Sequence, residues 1–175
     1  NKIVEINSLF KNTNIKILNL NNFKNVSEPK ERSRGFSDNA KIKSYYGYKK
    51  FGIPCFADDS GICIDCLNNK PGVHSKRFFD KFKNKIDAFE YIIKKTNEKK
   101  NALAYFVTSI CLTLKKNHFI IFEGKISGYI SDEPRGKNGF GYDPIFIPKG
   151  YKITFGEMLF SKKSKVDHRY KAFKK

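Results

Sequence analysis

Residues 102–114 and 118–130 constrain this chain more than any other part of it. Both are long runs rich in β-branched and aromatic residues, and Lys115-Lys116-Asn117 between them supplies a turn. Two such runs joined by a short polar link predict an antiparallel pair of long strands. The rest of the chain must then cover the faces and edges of that pair. Lys2-Ile3-Val4-Glu5-Ile6, with Leu9 and Phe10, has the spacing of an amphipathic helix. Ile15-Lys16-Ile17-Leu18-Asn19-Leu20 alternates like a half-buried strand, and residues 21–35 read as a polar loop. Residues 36–51 are helical in pattern, with Ser37 or Asp38 as cap and Phe36, Ala40 and Tyr48 near one face. Residues 53–58 and 61–67 read as two short buried strands broken by Asp-Ser-Gly, and 85–96 as a helix. A Gly-rich segment, 136–141, leads into Tyr142–Ile147, and a last helix runs from about Ser161 to the end. Helices mixed with short and long strands predict an α/β chain with a mixed sheet.

A chain of 175 residues has room for one domain with a real core, and no linker or internal repeat divides it. Its 39% hydrophobic content excludes a disordered chain. No apolar run approaches the roughly 18 residues that span a bilayer, and no signal-peptide pattern opens the sequence, so a soluble, cytoplasmic protein without a membrane partner is expected. The net charge of +18 invites polyanions, yet only five of the 35 basic residues are arginine (Arg32, Arg34, Arg77, Arg135, Arg169). Readers of nucleic acid lean on arginine for bidentate contacts, so a lysine-coated surface predicts weak attraction for nucleotides rather than a specific nucleic-acid partner. Cys55, Cys63, Cys66 and Cys111 sit among apolar residues and read as reduced core thiols. Cys63-Ile64-Asp65-Cys66 has metal-ligand spacing, but no second pair completes a zinc set.

Four segments carry residues able to do chemistry. Ala57-Asp58-Asp59-Ser60-Gly61 follows the apolar run Ile53-Pro54-Cys55-Phe56 and sets two carboxylates beside a hydroxyl. Carboxylates near an apolar strand need a cationic partner, and a divalent metal at the strand's carboxyl end is one solution; an Asx-type turn is the other. The segment extends to Pro71-Gly72-Val73-His74-Ser75-Lys76-Arg77. Asn39 and Lys43 lie four apart and share a helical face with which to meet an anion, with Glu31 upstream. Glycines around Phe140, Gly141, Tyr142 and Asp143 would let backbone approach a flat ligand while an aromatic ring stacks on it. Lys163 and His168-Arg169 form a basic cluster on the last helix.

In this order, Phe-x-x-Asn-Ala, Ala-Asp-Asp-Ser-Gly, Pro-Gly-Val-x-Ser-x-Arg, Gly-Phe-Gly-Tyr-Asp-Pro and His-Arg resemble the inosine triphosphate pyrophosphatase family over nearly the whole chain. These nucleotidases hydrolyse non-standard purine nucleoside triphosphates to the monophosphate and pyrophosphate. The resemblance implies an elongated mixed sheet flanked by helices, two lobes around a central cleft, a homodimer and a Mg²⁺ cofactor. It makes Asp59 the proton acceptor and a metal ligand, with Glu31 and Asp58 as further metal ligands. Lys2 matches the lysine of the triphosphate motif, and Ser60, Asn39, Lys43 and Arg77 fall in substrate-contacting segments. Phe140, Gly141, Tyr142 and Asp143 match the segment holding base and sugar; Lys163, His168 and Arg169 match the nucleotide-recognition set. Carboxylates for metal, cations for phosphates and an activated water suit hydrolysis between the α- and β-phosphates. Donors facing the 6-oxo group of ITP, dITP or XTP would be left unpaired by adenine, at roughly 1–3 kcal/mol per group.

Departures from the family pattern set further expectations. The chain opens at Asn1-Lys2, so the strand and most of the phosphate-binding turn that precede this lysine are expected to be missing from a single domain spanning 1–175. Arg32-Ser33 stands for a usual Thr-Gly, Asp38 for a Glu, His74 for a Tyr and Asp167 for the Ser before His-Arg. Two alternatives stay open at this point: a same-fold nucleotidase for pyrimidine triphosphates, and a basic nucleotide- or nucleic-acid-binding protein without turnover. A Ser60–His168 hydrolase is disfavoured, because Ser60 lacks the Gly-x-Ser-x-Gly elbow.

Overall fold

The structure is a computed structural model. It describes residues 2–23, 26, 27, 29–31, 33 and 35–175, apart from the side chains at positions 2, 9 and 21. The two long strands form as the sequence demands, β3 at Leu103–Lys115 and β4 at His118–Ile130, paired antiparallel. They anchor a five-stranded sheet with β1 (Cys55–Ile64), β2 (Lys70–Pro71) and β5 (Phe146–Pro148), in the order β2-β1-β3-β4-β5. Every pairing among the described residues is antiparallel.

β1 runs unbroken through Asp58-Asp59-Ser60-Gly61, in register with Ile110, Ser109, Thr108 and Val107 of β3. The expected turn and the expected pair of short strands are therefore one strand, with its two carboxylates mid-strand rather than at a carboxyl end. Gly61 is required by close approach rather than by turning: a Cβ there would collide with the Gly72 carbonyl and the Ser75 hydroxyl. That hydroxyl accepts from the Ile62 N–H at 2.9 Å and donates to the Gly72 carbonyl at 2.7 Å, fastening the following loop to the strand.

Alternation along β1 gives the sheet two unlike faces. One is covered by α2 (Phe36–Phe51), whose buried residues are Asn39, Ala40 and Ser44. Ser44 hydrogen-bonds to Thr113 at 2.8 Å, so this contact is polar at its centre. α2 starts at Phe36 with Gly35, which has no side chain to cap it, at the N-cap position, so neither Ser37 nor Asp38 is its cap. Ser37 donates instead to Glu123 on β4 at 2.9 Å, and Asp38 accepts from Ser33 at 3.0 Å. The opposite face carries the apolar core. Ile62, Ile64, Phe106 and Ile126 pack there with Phe89 and Ile92 of α4 (Lys85–Glu98) and with Phe146, Phe155 and Met158. Asn84 caps α4, its side chain accepting from the N–H groups of Ile86 and Asp87.

α1 (Lys2–Phe10) forms where expected, but residues 15–20 are not a strand: Ile15, Leu18 and Leu20 remain exposed, and the segment ends in a short 3₁₀ turn at Leu20–Asn22. α3 covers Ser75–Phe78. The predicted last helix is two short ones, α5 (Phe160–Lys163) and α6 (His168–Phe173), divided where Asp167 starts a new helix by accepting from the Tyr170 N–H at 2.7 Å. α6 lies directly on β4 because Gly124 has no Cβ to strike the His168 carbonyl. No helix among the described residues is long and apolar enough to cross a membrane.

Candidate active site

Asp58 and Asp59 are adjacent, so their side chains leave β1 on opposite faces. Asp59, only 6% exposed, turns toward α2. Its carboxylate accepts from Lys43 Nζ at 2.7 Å and from Asn39 Nδ2 at 3.2 Å; these two side chains are one helical turn apart, as their spacing predicts. Lys43 also reaches Glu31 at 3.0 Å, and Arg77 reaches the other oxygen of Glu31 at 3.1 Å. One ammonium thus stands between the two carboxylates, with a guanidinium at the rim. Burial pushes the Asp59 carboxyl above its ordinary value despite the hydrogen bond from Lys43. Burial alone would depress Lys43, but the carboxylates of Asp59 and Glu31 outweigh it and raise its pKa.

Asp58 is on the other face and is not part of that group. Its carboxylate accepts from the Ser60 hydroxyl at 2.6 Å and lies 3.7 Å from Nη2 of Arg169. Of the three expected metal ligands, Glu31 and Asp59 meet at one ammonium, while Asp58 leaves the strand on the opposite face. Among the described residues no cluster of three or more His, Cys, Asp or Glu side chains is placed to hold a metal.

Around Arg169 the structure assembles a second ionic group. Arg169, 1% exposed, bonds Glu5 through Nη1. Lys163 bonds Glu5 at 3.2 Å and Asp143 at 2.8 Å. The half-buried Phe140 ring lies beneath both cations, 4.9 Å from Lys163 Nζ and 5.8 Å from the Arg169 guanidinium carbon. Asp143 ties the Gly-rich turn down by accepting from the Phe140 N–H at 2.7 Å, and Gly141 sits at φ 62° within it. Burial raises the Asp143 carboxyl against the attraction of Lys163. Nothing in the sequence singles out Glu5, which is there simply a polar position of an amphipathic helix. The available signal was the need for an acidic partner once two cations fall on a packed C-terminal segment.

Three of the expected contact residues have partners within the protein. Tyr142 is 3% exposed, stacked on Phe79 at 4.5 Å with its hydroxyl donating to the Ser75 carbonyl at 2.7 Å, so its ring belongs to the wall behind the site. His168 is buried with its ring stacked on Phe106 at 4.9 Å. Ser60 contacts Asp58 and Thr108 rather than open space. Lys2 opens α1, and its side chain, like Arg32, lies outside the described residues.

Comparison with known proteins finds relatives over nearly the whole chain. A dITP/XTP pyrophosphatase of Flavobacterium psychrophilum is 38% identical over 173 residues, covering 98% of this chain and 90% of that protein. The protein of the same name from Flavobacterium johnsoniae is 38% identical over 98% of this chain and 88% of its own length. Among solved structures, a HAM1 protein from Coxiella burnetii superposes with a TM-score of 0.87 at 35% identity, covering 99% of this chain and 89% of that one. The Staphylococcus aureus Ham1 protein also reaches 0.87, at 28% identity over the same shares of the two chains. The model of the Ham1 family matches residues 1–175, and the chain belongs to that family.

Proposed function

We propose that this protein hydrolyses non-standard purine nucleoside triphosphates (ITP, dITP, XTP) to the monophosphate and pyrophosphate, clearing them from the nucleotide pool. The observation that carries it is the pairing of two groups across one strand: carboxylates shared by one ammonium on one face, an aromatic ring under two cations on the other. The first group suits a polyphosphate and the second a purine, and relatives bearing the name dITP/XTP pyrophosphatase align over nearly the whole chain.

In this scheme Lys43 and Arg77 turn from Glu31 and Asp59 to the phosphate oxygens, and Asn39 keeps the Asp59 carboxylate oriented. Asp59 takes the proton of the attacking water. Phe140 stacks on the base, and the buried Lys163 and Arg169 against that ring set positive charge toward a 6-oxo group. Mg²⁺ fits the donor set: Glu31 and Asp59 already converge on one cation, and this ion needs only one or two protein carboxylates besides phosphates and water. When bound, it would neutralise the polyphosphate and acidify a water. We further propose a homodimer, as the family resemblance implies, working in the cytoplasm.

Pyrophosphate release measured with ITP, dITP, XTP, ATP, GTP and dUTP, with and without Mg²⁺, tests the assignment. Turnover of the first three at least about tenfold faster than the rest, per mole of substrate at low concentration, is expected. Equal rates with ATP, or a preference for dUTP, would overturn it.

A further inference from the structure

We propose that Asp58 is a positioning residue for base selection: it holds the Arg169 guanidinium in place, and it takes no part in metal binding. The assignment rests on taking Phe140, Lys163 and Arg169 as the purine-recognition group.

The geometry argues for it in three steps. Asp58 pairs with Ile110 and Asp59 with Ser109 across β1 and β3, so consecutive residues face α6 and α2 respectively. Arg169 is gripped at both ends of its fork, by Glu5 on α1 at Nη1 and by Asp58 on β1 near Nη2. A planar guanidinium held from two sides has its orientation over Phe140 fixed; held by Glu5 alone, it can pivot about a single contact that Glu5 also shares with Lys163. Finally, Asp58 is itself anchored. Its side chain is only 12% exposed, and the Ser60 hydroxyl donates to it at 2.6 Å. Ser60 in turn meets Thr108 on β3, so the carboxylate is braced by the centre of the sheet. Two neighbouring residues of one strand thus serve different halves of one substrate.

The separation predicts a split in kinetics. Asp58→Asn removes the charge and keeps the volume. The ratio of kcat/KM for ITP to that for ATP should fall roughly tenfold. Most of that loss should appear as a higher KM for ITP, with kcat within about threefold of wild type and the Mg²⁺ concentration for half activity unchanged. Placed on an Arg169→Lys background, Asp58→Asn should cost less than about twofold more in that ratio, because it acts through the residue already altered. Additive losses, an intact ITP/ATP ratio, or a raised Mg²⁺ requirement would each overturn the proposal. Should thermal melting show Asp58→Asn to be unfolded, Ser60→Ala, which loosens the same carboxylate without removing it, should lower the ratio about threefold; no change would overturn it equally. A wild-type protein without any preference for ITP over ATP would overturn the purine assignment and this inference with it, and that outcome is visible before any variant is made.

Discussion

The α2 face and the α6 face of β1 carry the same kinds of charge in opposite conditions. On the α2 face the side chains of Lys43, Glu31 and Arg77 keep 21%, 29% and 53% of their exposure, and Asp59 alone is buried, at 8%. On the α6 face Lys163, Glu5, Asp143 and Arg169 keep no more than 5%. Ion pairs open to water are worth only about 0–1 kcal/mol and trade partners cheaply, which suits groups that must release each other for phosphates or a metal. Buried pairs cannot do so, since an unpartnered charge there costs several kcal/mol. One half of the site is therefore built to exchange and the other to stay as folded.

The largest effect expected from breaking this contrast is on the exchanging half. Asp59→Asn keeps the size of the side chain and removes the proton acceptor, so kcat for ITP should fall by about 10²–10⁴ while the melting temperature changes little. Lys43 retains Glu31 as a partner, which is why stability is spared. Retained turnover in pyrophosphate release would place the base elsewhere.

The locked half should respond the other way round. Glu5→Gln leaves Lys163 and Arg169 short of a buried counter-charge, although Asp143 and Asp58 still face them. A loss of about 3 kcal/mol in urea unfolding is expected. Arg77→Ala, which breaks an exposed pair with Glu31, should cost under about 1 kcal/mol in the same experiment. Similar losses for the two variants would show that burial does not distinguish the faces.

The two faces also differ in how legible they were. Asn39 and Lys43 could be placed together from helical spacing, and the β3–β4 pair, α2 and α4 announce themselves by composition and period. Asp58-Asp59-Ser60-Gly61 looked like a turn because its residue types favour turns; the glycine instead answers a tertiary contact with Gly72 and Ser75, which no local pattern encodes. Residues 15–20 alternate convincingly, yet among the described residues no strand pairs with them and Ile15, Leu18 and Leu20 stay exposed, so the period went unused. The Glu5–Arg169 contact joins positions 164 apart, and only folding brings an N-terminal helix against the C-terminal one.

The smallest effect concerns how the exchanging half is held to the sheet. Glu123 on β4 accepts from Ser109 at 2.5 Å and from Ser37, in the first turn of α2, at 2.9 Å. These hydrogen bonds, that from Ser109 foremost, hold its carboxyl below the ordinary glutamate value. A carboxylate whose pKa is lowered on folding contributes stability that is fully present above its unfolded value and is lost as pH falls through the folded one. Wild type should therefore exceed Glu123→Gln in unfolding free energy at neutral pH, and the two should converge below about pH 4. Because the side chain is exposed, the gap at neutral pH should stay under about 1 kcal/mol. The same substitution loosens the start of α2, from which Asn39 and Lys43 project, so a slight rise in KM for ITP should accompany it. A gap that persists unchanged to low pH would mean that Glu123 steadies α2 by packing rather than by its charge.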